Sequence, residues 1–309
     1  MRRYVSKFST LCFLLLSACG LTRCTPNPVD QATTADLYRP GLPTAETPLS
    51  VYFIGHSLVG RDMPAMLAQL AGAGHSYESQ MGWGAELQAH WGDETLDGAD
   101  TENDHPRFRE AHEAVDSGDY DIIVLTEKIG IKESIKYHHS WDYLSRWAQK
   151  AAAANPDVRL YLYETWHPLD VPEGWLNRLD QDLERFWERE IIDRALASDR
   201  VDRPIYVIPG GQVMARFART LEAQGGAGTV TKIEDLFTDN IHFNDLGAYL
   251  MALTHYAVIY GRTPLGLPYD LHNAKGQPAL SPGPEAARLM QQVVWDVVAG
   301  YQRTGVRGN

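Results

Sequence analysis

Serine, histidine and aspartate together make a base-activated nucleophile, and this chain offers them in two short segments far apart. Gly55-His56-Ser57-Leu58 directly follows an apolar run, and Asp239-Asn240-Ile241-His242 lies toward the other end. A serine hydroxyl is a poor nucleophile at neutral pH. Acyl transfer needs an imidazole to take its proton and a carboxylate to fix that imidazole's tautomer. Asp239 and His242 stand three residues apart, which lets both side chains point to the same side of one turn. Ser57, His242 and Asp239 are therefore the candidate nucleophile, base and orienting carboxylate, and such chemistry needs no cofactor. A serine after a strand is otherwise an ordinary turn or cap residue, so the assignment depends on a fold that joins the two segments.

The elements around them alternate. Residues 50–54, Ser-Val-Tyr-Phe-Ile, form a compact apolar run closed by Gly55, as in a strand buried on both faces. Asp62 and Pro64 signal a helix start, with Met63, Met66, Leu67 and Leu70 on one face. Further strands are expected at 120–125, 158–163 and 205–208. The helices between them show Trp141, Leu144, Trp147 and Ala151, then Leu176, Leu179, Leu183, Phe186 and Trp187, at helical spacing. A helix through Leu221 follows Pro209-Gly210-Gly211, and two more close the chain: 246–260, apolar nearly all round, and 286–301, with one apolar stripe. Short strands separated by long amphipathic helices predict an α/β fold, a three-layer α/β/α sandwich around a central parallel sheet. In such sheets the active site forms at the carboxyl ends of the strands, and Ser57 lies just past one.

In this order the segments resemble the SGNH/GDSL hydrolase family over residues 50–262. Gly55-His56-Ser57-Leu58 resembles its first block. Thr238-Asp239-Asn240-Ile241-His242-Phe243-Asn244-Asp245-Leu246-Gly247 resembles the last, including the glycine five residues after the histidine. The Gly-x-Ser-x-Gly elbow of the α/β-hydrolases is absent. The resemblance implies an oxyanion-hole glycine in a second block, and Gly82-Trp83-Gly84-Ala85-Glu86-Leu87 stands in its place, after the segment 76–80. Gly84 is the first choice and Gly82 the second, each acting beside the Ser57 N–H; a tight loop that needs glycine for its backbone angles is the alternative.

The third block departs from the family pattern. Thr126-Glu127-Lys128 stands where Gly-x-Asn is usual, which leaves Thr126 or Lys128 as substitute oxyanion donors. His56 occupies a position where Asp or Asn is common, and either tunes the base or is an ordinary hydrogen-bonded histidine. With Trp83, Trp166 and His167 it is expected to line the substrate cleft, because flat aromatic faces suit sugar rings. Glu164 and Asp170 follow the same strand as Trp166, but no fixed metal-ligand spacing supports a metal, and none is expected. His138-His139 lies in a polar, lysine-containing loop expected to face solvent.

The implied activity is hydrolysis of short-chain, chiefly acetyl, esters on a carbohydrate through an acyl-enzyme. Two other readings stay open: a glycan-binding lipoprotein that has lost catalysis, motivated by the missing asparagine, and an O-acyltransferase that hands the acyl group to a sugar hydroxyl.

At 309 residues with 44% hydrophobic and 22% charged content, the chain has material for a sizeable core. Arg2, Arg3 and Lys7 precede an apolar stretch, 8–16, that is too short to span a bilayer and reads as an export signal. Leu16-Ser17-Ala18-Cys19 resembles the lipobox of bacterial lipoproteins, so Cys19 is the expected lipidation site. Ordinary cleavage, leaving Cys19 and Cys24 free to pair, is the alternative. The expected organisation is a signal at 1–18, a flexible tether at 19–48 and a hydrolase domain at 49–305. The expected location is the periplasmic or outer-membrane side, with the lipid anchor as the only membrane contact. Residues 1–18 hold three basic and no acidic groups, so the mature chain sets 25 Lys and Arg against 40 Asp and Glu, a net −15. At that charge neither nucleic acid nor anionic lipid is expected as a partner. Cys19→Ser is expected to lose the acyl modification and move to the soluble fraction; an intact mass showing cleavage elsewhere with no lipid would contradict the lipobox reading.

Overall fold

The computed structural model describes residues 25–307; the expected export segment, Cys12, Cys19 and Cys24 lie outside them. Five strands, β1 (Ser50–His56), β2 (Ser76–Gly82), β3 (Ile122–Thr126), β4 (Arg159–Glu164) and β5 (Ile205–Pro209), form one sheet in the order β2-β1-β3-β4-β5. Every pairing is parallel. The longer helices are α1 (Gln31–Tyr38), α2 (Asp62–Ala71), α3 (Ser140–Ala154), α4 (Trp175–Asp182), α5 (Gly210–Gln224), α6 (Asp245–Tyr260) and α7 (Gly283–Gly300).

Side-chain alternation along the strands divides the core in two. Val51 and Phe53 of β1, Ile122 and Val124 of β3, and Tyr161 and Tyr163 of β4 face one cluster, shared with α2, α5, α6 and α7. Tyr52 and Ile54, Ile123 and Leu125, and Leu160 and Leu162 face the other, shared with α3. Strands buried on both faces read as continuous apolar runs, which is why they were visible in sequence. The expected three-layer sandwich is therefore observed. The chain steps from β1 outward to β2, then returns to β3 on the other side, so the connection reverses beside β1. Parallel sheets leave a crevice at such a reversal, and Ser57 sits there.

Three features differ from expectation. The edge strand β2 carries Ser76, Tyr77, Glu78, Ser79 and Gln80, and its polar content concealed it. The helix expected through Trp187 is α-helical only to Asp182 and continues as a π-helix over Leu183–Ile192, which still buries Trp187, Ile191 and Ile192.

The third is the tether, which is not free from residue 25 onward. Asp30 caps α1 by accepting from Thr33 N at 2.7 Å. The Val29 N–H donates to Asp193 O (3.1 Å), the Leu42 N–H to Gly305 O (2.7 Å) and the Ala45 N–H to Tyr260 O (3.0 Å). Tyr38, the one buried residue of α1, donates from its hydroxyl to Ile205 O at 2.6 Å, covering part of the outer strand β5. Gln-Ala-Thr-Thr-Ala-Asp-Leu-Tyr has no apolar stripe, so periodicity could not show a helix held by its cap and its two ends. Tyr38→Phe is expected to leave that strand carbonyl unpaired and to cost ~1–3 kcal/mol in urea unfolding; a freely moving tether would give no change.

Candidate active site

The end of β1 is held by two buried histidines. His56 places Nε2 3.0 Å from Glu127 O, and its Nδ1 accepts the Leu58 N–H at 3.3 Å. That fixes the proton on Nε2. Burial is the first cause that lowers its pKa to about 4, so the ring is neutral at pH 7. His90, also fully enclosed and lowered to about 4 by burial, donates from Nε2 to Gly55 O at 2.9 Å and accepts from Gln80 Nε2 at 3.1 Å. Both act on backbone, so His56 does not line the cleft as expected; of its two sequence readings, the hydrogen-bonded histidine fits. No motif or periodicity marked His90.

Ser57 follows directly and is half-buried. Its Oγ lies 3.0 Å from His242 Nε2, across 185 positions of sequence. His242 Nδ1 lies 2.7 Å from Asp239 Oδ2. The other carboxylate oxygen, Oδ1, accepts the backbone N–H groups of Ile241 (2.8 Å) and His242 (2.7 Å). The His242 hydrogen bond, then these two amides, hold the Asp239 pKa down at about 2. An ionised carboxylate only accepts, so it requires the proton on His242 Nδ1 and leaves Nε2 to accept from the serine hydroxyl. The three residues singled out in sequence are thus brought together in the order that acyl transfer needs.

The turn that carries Asp239 and His242 is clamped from below. Trp166 donates from Nε1 to Ile241 O (2.9 Å), and Leu169 N–H donates to Asn240 O (2.8 Å). Asp170 accepts from Asn240 Nδ2 at 2.8 Å. Trp166 is fully buried, with its ring against Phe237 and Phe243. It therefore supports the turn and offers no face to a substrate, contrary to expectation. His167 is likewise buried and paired through Nε2 with Asp182 Oδ2 at 2.9 Å, so it too leaves the cleft lining. Beyond the turn, Asn244 caps α6 through Leu246 N and Gly247 N. A Cβ on Gly247 would come within 2.5 Å of Phe243 Cβ and 2.8 Å of Leu236 O, which explains the glycine of the motif.

Gly84 is exposed, with φ at +54°, a region glycine enters freely, and a Cβ there would meet nothing within 4 Å. Among the described residues its N–H has no hydrogen-bond partner, while the Ser57 N–H lies at the end of the β1–β2 ladder, beside the His56–Gly82 pair. Gly82 is glycine for a different reason: a Cβ would come 2.3 Å from Leu96 Cδ1. Trp83, between them, is 57% exposed and fixed, its indole N–H donating to Glu102 Oε1 at 2.8 Å and its backbone N–H to Asp97 O at 2.7 Å. Of the expected cleft aromatics, only Trp83 is exposed at the strand end; nearby Trp91 packs edge-on against Trp147 and His112.

Neither proposed substitute for the missing asparagine is free. Thr126 is fully buried and donates from Oγ1 to Tyr163 O at 2.7 Å. Lys128 places Nζ 3.0 Å from His138 Nε2 and 3.6 Å from Glu86 Oε2. Glu86, Glu94 and His138 bring one ligand atom each within 4.8 Å of one another, a spacing that could surround a cation. However, the Lys128 ammonium donates to Nε2, so Nδ1 carries the ring proton, and it faces Glu86 Oε1 at 3.1 Å and Glu94 Oε2 at 3.4 Å. Lys128 and Glu86 pair across the cluster, and His138 Nδ1 lies near both carboxylates without making a hydrogen bond. His138 is mostly enclosed in it, contrary to the solvent-facing expectation; His139 is exposed.

No protein-family model matches the chain, and no curated protein matches it in sequence. Among solved structures it is similar to a GDSL-like lipase from Parabacteroides merdae, at 11% identity and a TM-score of 0.42, over 71% of this chain and 99% of that one. It is also similar to a gut microbial diltiazem-metabolizing enzyme, at 12% identity and a TM-score of 0.36, over 69% of this chain and 47% of the other. What the site can do follows from its own geometry.

Glu127 adds a pH dependence. Its carboxyl is fully buried, Oε2 has no hydrogen-bond partner among the described residues, and burial pushes its pKa up from 4.5 to about 7. The folded protein thus holds this proton more tightly than the unfolded chain. Its contribution to stability is complete below the unfolded value and is lost as pH rises through about 7. Glu127→Gln keeps the neutral shape. The variant is expected to match the parent at pH 4–5 and to exceed it by on the order of 2 kcal/mol at pH 8–9 in urea titrations; a difference independent of pH would contradict this.

Proposed function

We propose that this chain is a serine hydrolase acting on carboxylic esters through an acyl-enzyme, with a short acyl group, acetyl first, on a carbohydrate alcohol. The hydrogen-bonded chain from Asp239 through His242 to Ser57 carries this reading. Ser57 Oγ attacks the ester carbonyl while His242 Nε2 takes its proton. The tetrahedral intermediate then collapses, the C–O bond to the alcohol breaks, and His242 returns the proton to the leaving oxygen. Water repeats the sequence on the acyl-enzyme, releasing the acid and the free serine.

Asp239 keeps the imidazole in the accepting tautomer and stabilises the imidazolium formed midway. The N–H groups of Ser57 and Gly84 supply the oxyanion site. Each such donor is typically worth about 3 kcal/mol in the transition state. With Thr126 and Lys128 otherwise engaged, two backbone donors carry that charge. The exposed, hydrogen-bonded Trp83 beside Gly84 supports a sugar-ring alcohol, since its face is held ready at the rim. Export and a lipid anchor at Cys19 belong to the same proposal, on the strength of the N-terminal sequence.

Aryl acetate, butyrate and octanoate turnover, with acetate release from acetylated oligosaccharides, tests this. Ser57→Ala and His242→Ala are each expected to lower kcat by roughly four orders of magnitude or more, with little further loss when combined, because such residues act as a unit. Wild-type turnover by Ser57→Ala would overturn the assignment. A preference for octanoate with no acetate released from any glycan would point to a lipase or thioesterase, and an inert parent protein that still binds glycans would favour the non-catalytic reading.

A further inference from the structure

A pocket of about 660 Å³ adjoins the site and is used by none of the chemistry above. It shares two walls with that site. Gly60, three residues past the nucleophile, lines it, and a Cβ there would stand 3.4 Å from Ser57 O. Glu102, which holds the Trp83 indole, lines it on the other side. The pocket thus lies next to the backbone of the nucleophile's turn and to the residue that holds Trp83.

The charges in the pocket are unusual for this protein. Arg61, Arg107 and Lys275 all line it, in a chain whose net charge is −12. Most arginines elsewhere are tied to carboxylates, as Arg109, Arg146, Arg178 and Arg303 are. Among the described residues, none of the three pocket cations lies within 4 Å of a carboxylate oxygen. Arg61 spends one N–H on Thr101 O (2.6 Å), and Arg107 lies over the Tyr77 ring at 5.0 Å.

Three carboxylates share the pocket and equal its cations in number, but none lies within ion-pair distance of them, and two accept from other donors. Asp62 Oδ1 accepts the Ala274 N–H at 2.8 Å, and Glu102 Oε1 accepts the Trp83 indole. Asp104 remains. Guanidinium groups present several fixed N–H donors and match an anionic oxygen pair, so two arginines that line one concavity without a carboxylate partner are suited to an anion. The volume accepts a sugar unit or two, and Asp104 is placed to take sugar hydroxyls.

We propose that this pocket binds an anionic sugar, carrying a carboxylate or a sulfate, so that the ester substrate is an acylated acidic glycan. The inference rests on the esterase reading for its place in the reaction, and binding alone tests it independently. The probes are a trigalacturonate, a sulfated galactan trisaccharide and a neutral galactan trisaccharide, titrated calorimetrically into the full chain carrying Ser57→Ala. At least one anionic probe is expected to bind ten-fold or more tighter than the neutral one, and which one it is identifies the anion. Arg107→Gln and Lys275→Gln should each weaken that binding at least five-fold, and raised salt should weaken it further. In otherwise wild-type protein the same two substitutions should raise KM for the acetylated acidic oligosaccharide and leave aryl acetate turnover unchanged. Equal binding of neutral and anionic probes, no binding of any, or unchanged binding in both substituted proteins would overturn the proposal. Loss of ester turnover with anion binding intact would overturn the esterase reading instead.

Discussion

A 3.0 Å hydrogen bond between Ser57 Oγ and His242 Nε2 joins two turns that sequence places 185 residues apart, and the surrounding structure is arranged to keep it. Proton transfer over such a contact tolerates little drift, since a displacement of about 1 Å costs roughly two orders of magnitude in rate. Each turn is therefore tied from several directions. The nucleophile's strand is fixed through its own carbonyls and amides by His56 and His90. The turn bearing the base is fixed by Trp166, Leu169 and Asp170 from the segment after β4.

The burial of those ties is part of their action. A neutral, enclosed histidine holds one tautomer, and so serves as a directional strut with a single donor and a single acceptor. His56 and His90 are both pushed to about 4 by burial and both bond to backbone, which keeps them in one state across neutral pH. The base itself is exposed enough to exchange protons, and its orientation comes from an ionised Asp239 anchored by two amides. Struts are buried and neutral, and the working pair is open, with its charge on Asp239.

Much of this was legible in sequence for physical reasons. Strands covered on both faces write continuous apolar runs, and a catalytic turn compresses its residues into adjacent positions, so the sheet, Ser57 and the Asp239–His242 pair could be read directly. Parts held by single polar contacts left no such trace. The edge strand β2 is polar, α1 has no apolar stripe, and His90 resembles any other histidine. Trp166 and His167 misled because a residue just past a strand end can point either into the cleft or under it, and sequence position alone does not choose. The missing third-block asparagine was visible as a gap; that Thr126 and Lys128 had other partners required the structure.

The central claim is that Ser57 is activated by its two partners. A fluorophosphonate probe reacts with a serine only when a neighbouring base raises its nucleophilicity. Labelling the intact protein and mapping the adduct by peptide mass measures this directly. The account predicts one adduct per chain, on the peptide containing Ser57, and its disappearance in His242→Ala. An unlabelled protein, or an adduct on a different serine, would contradict it.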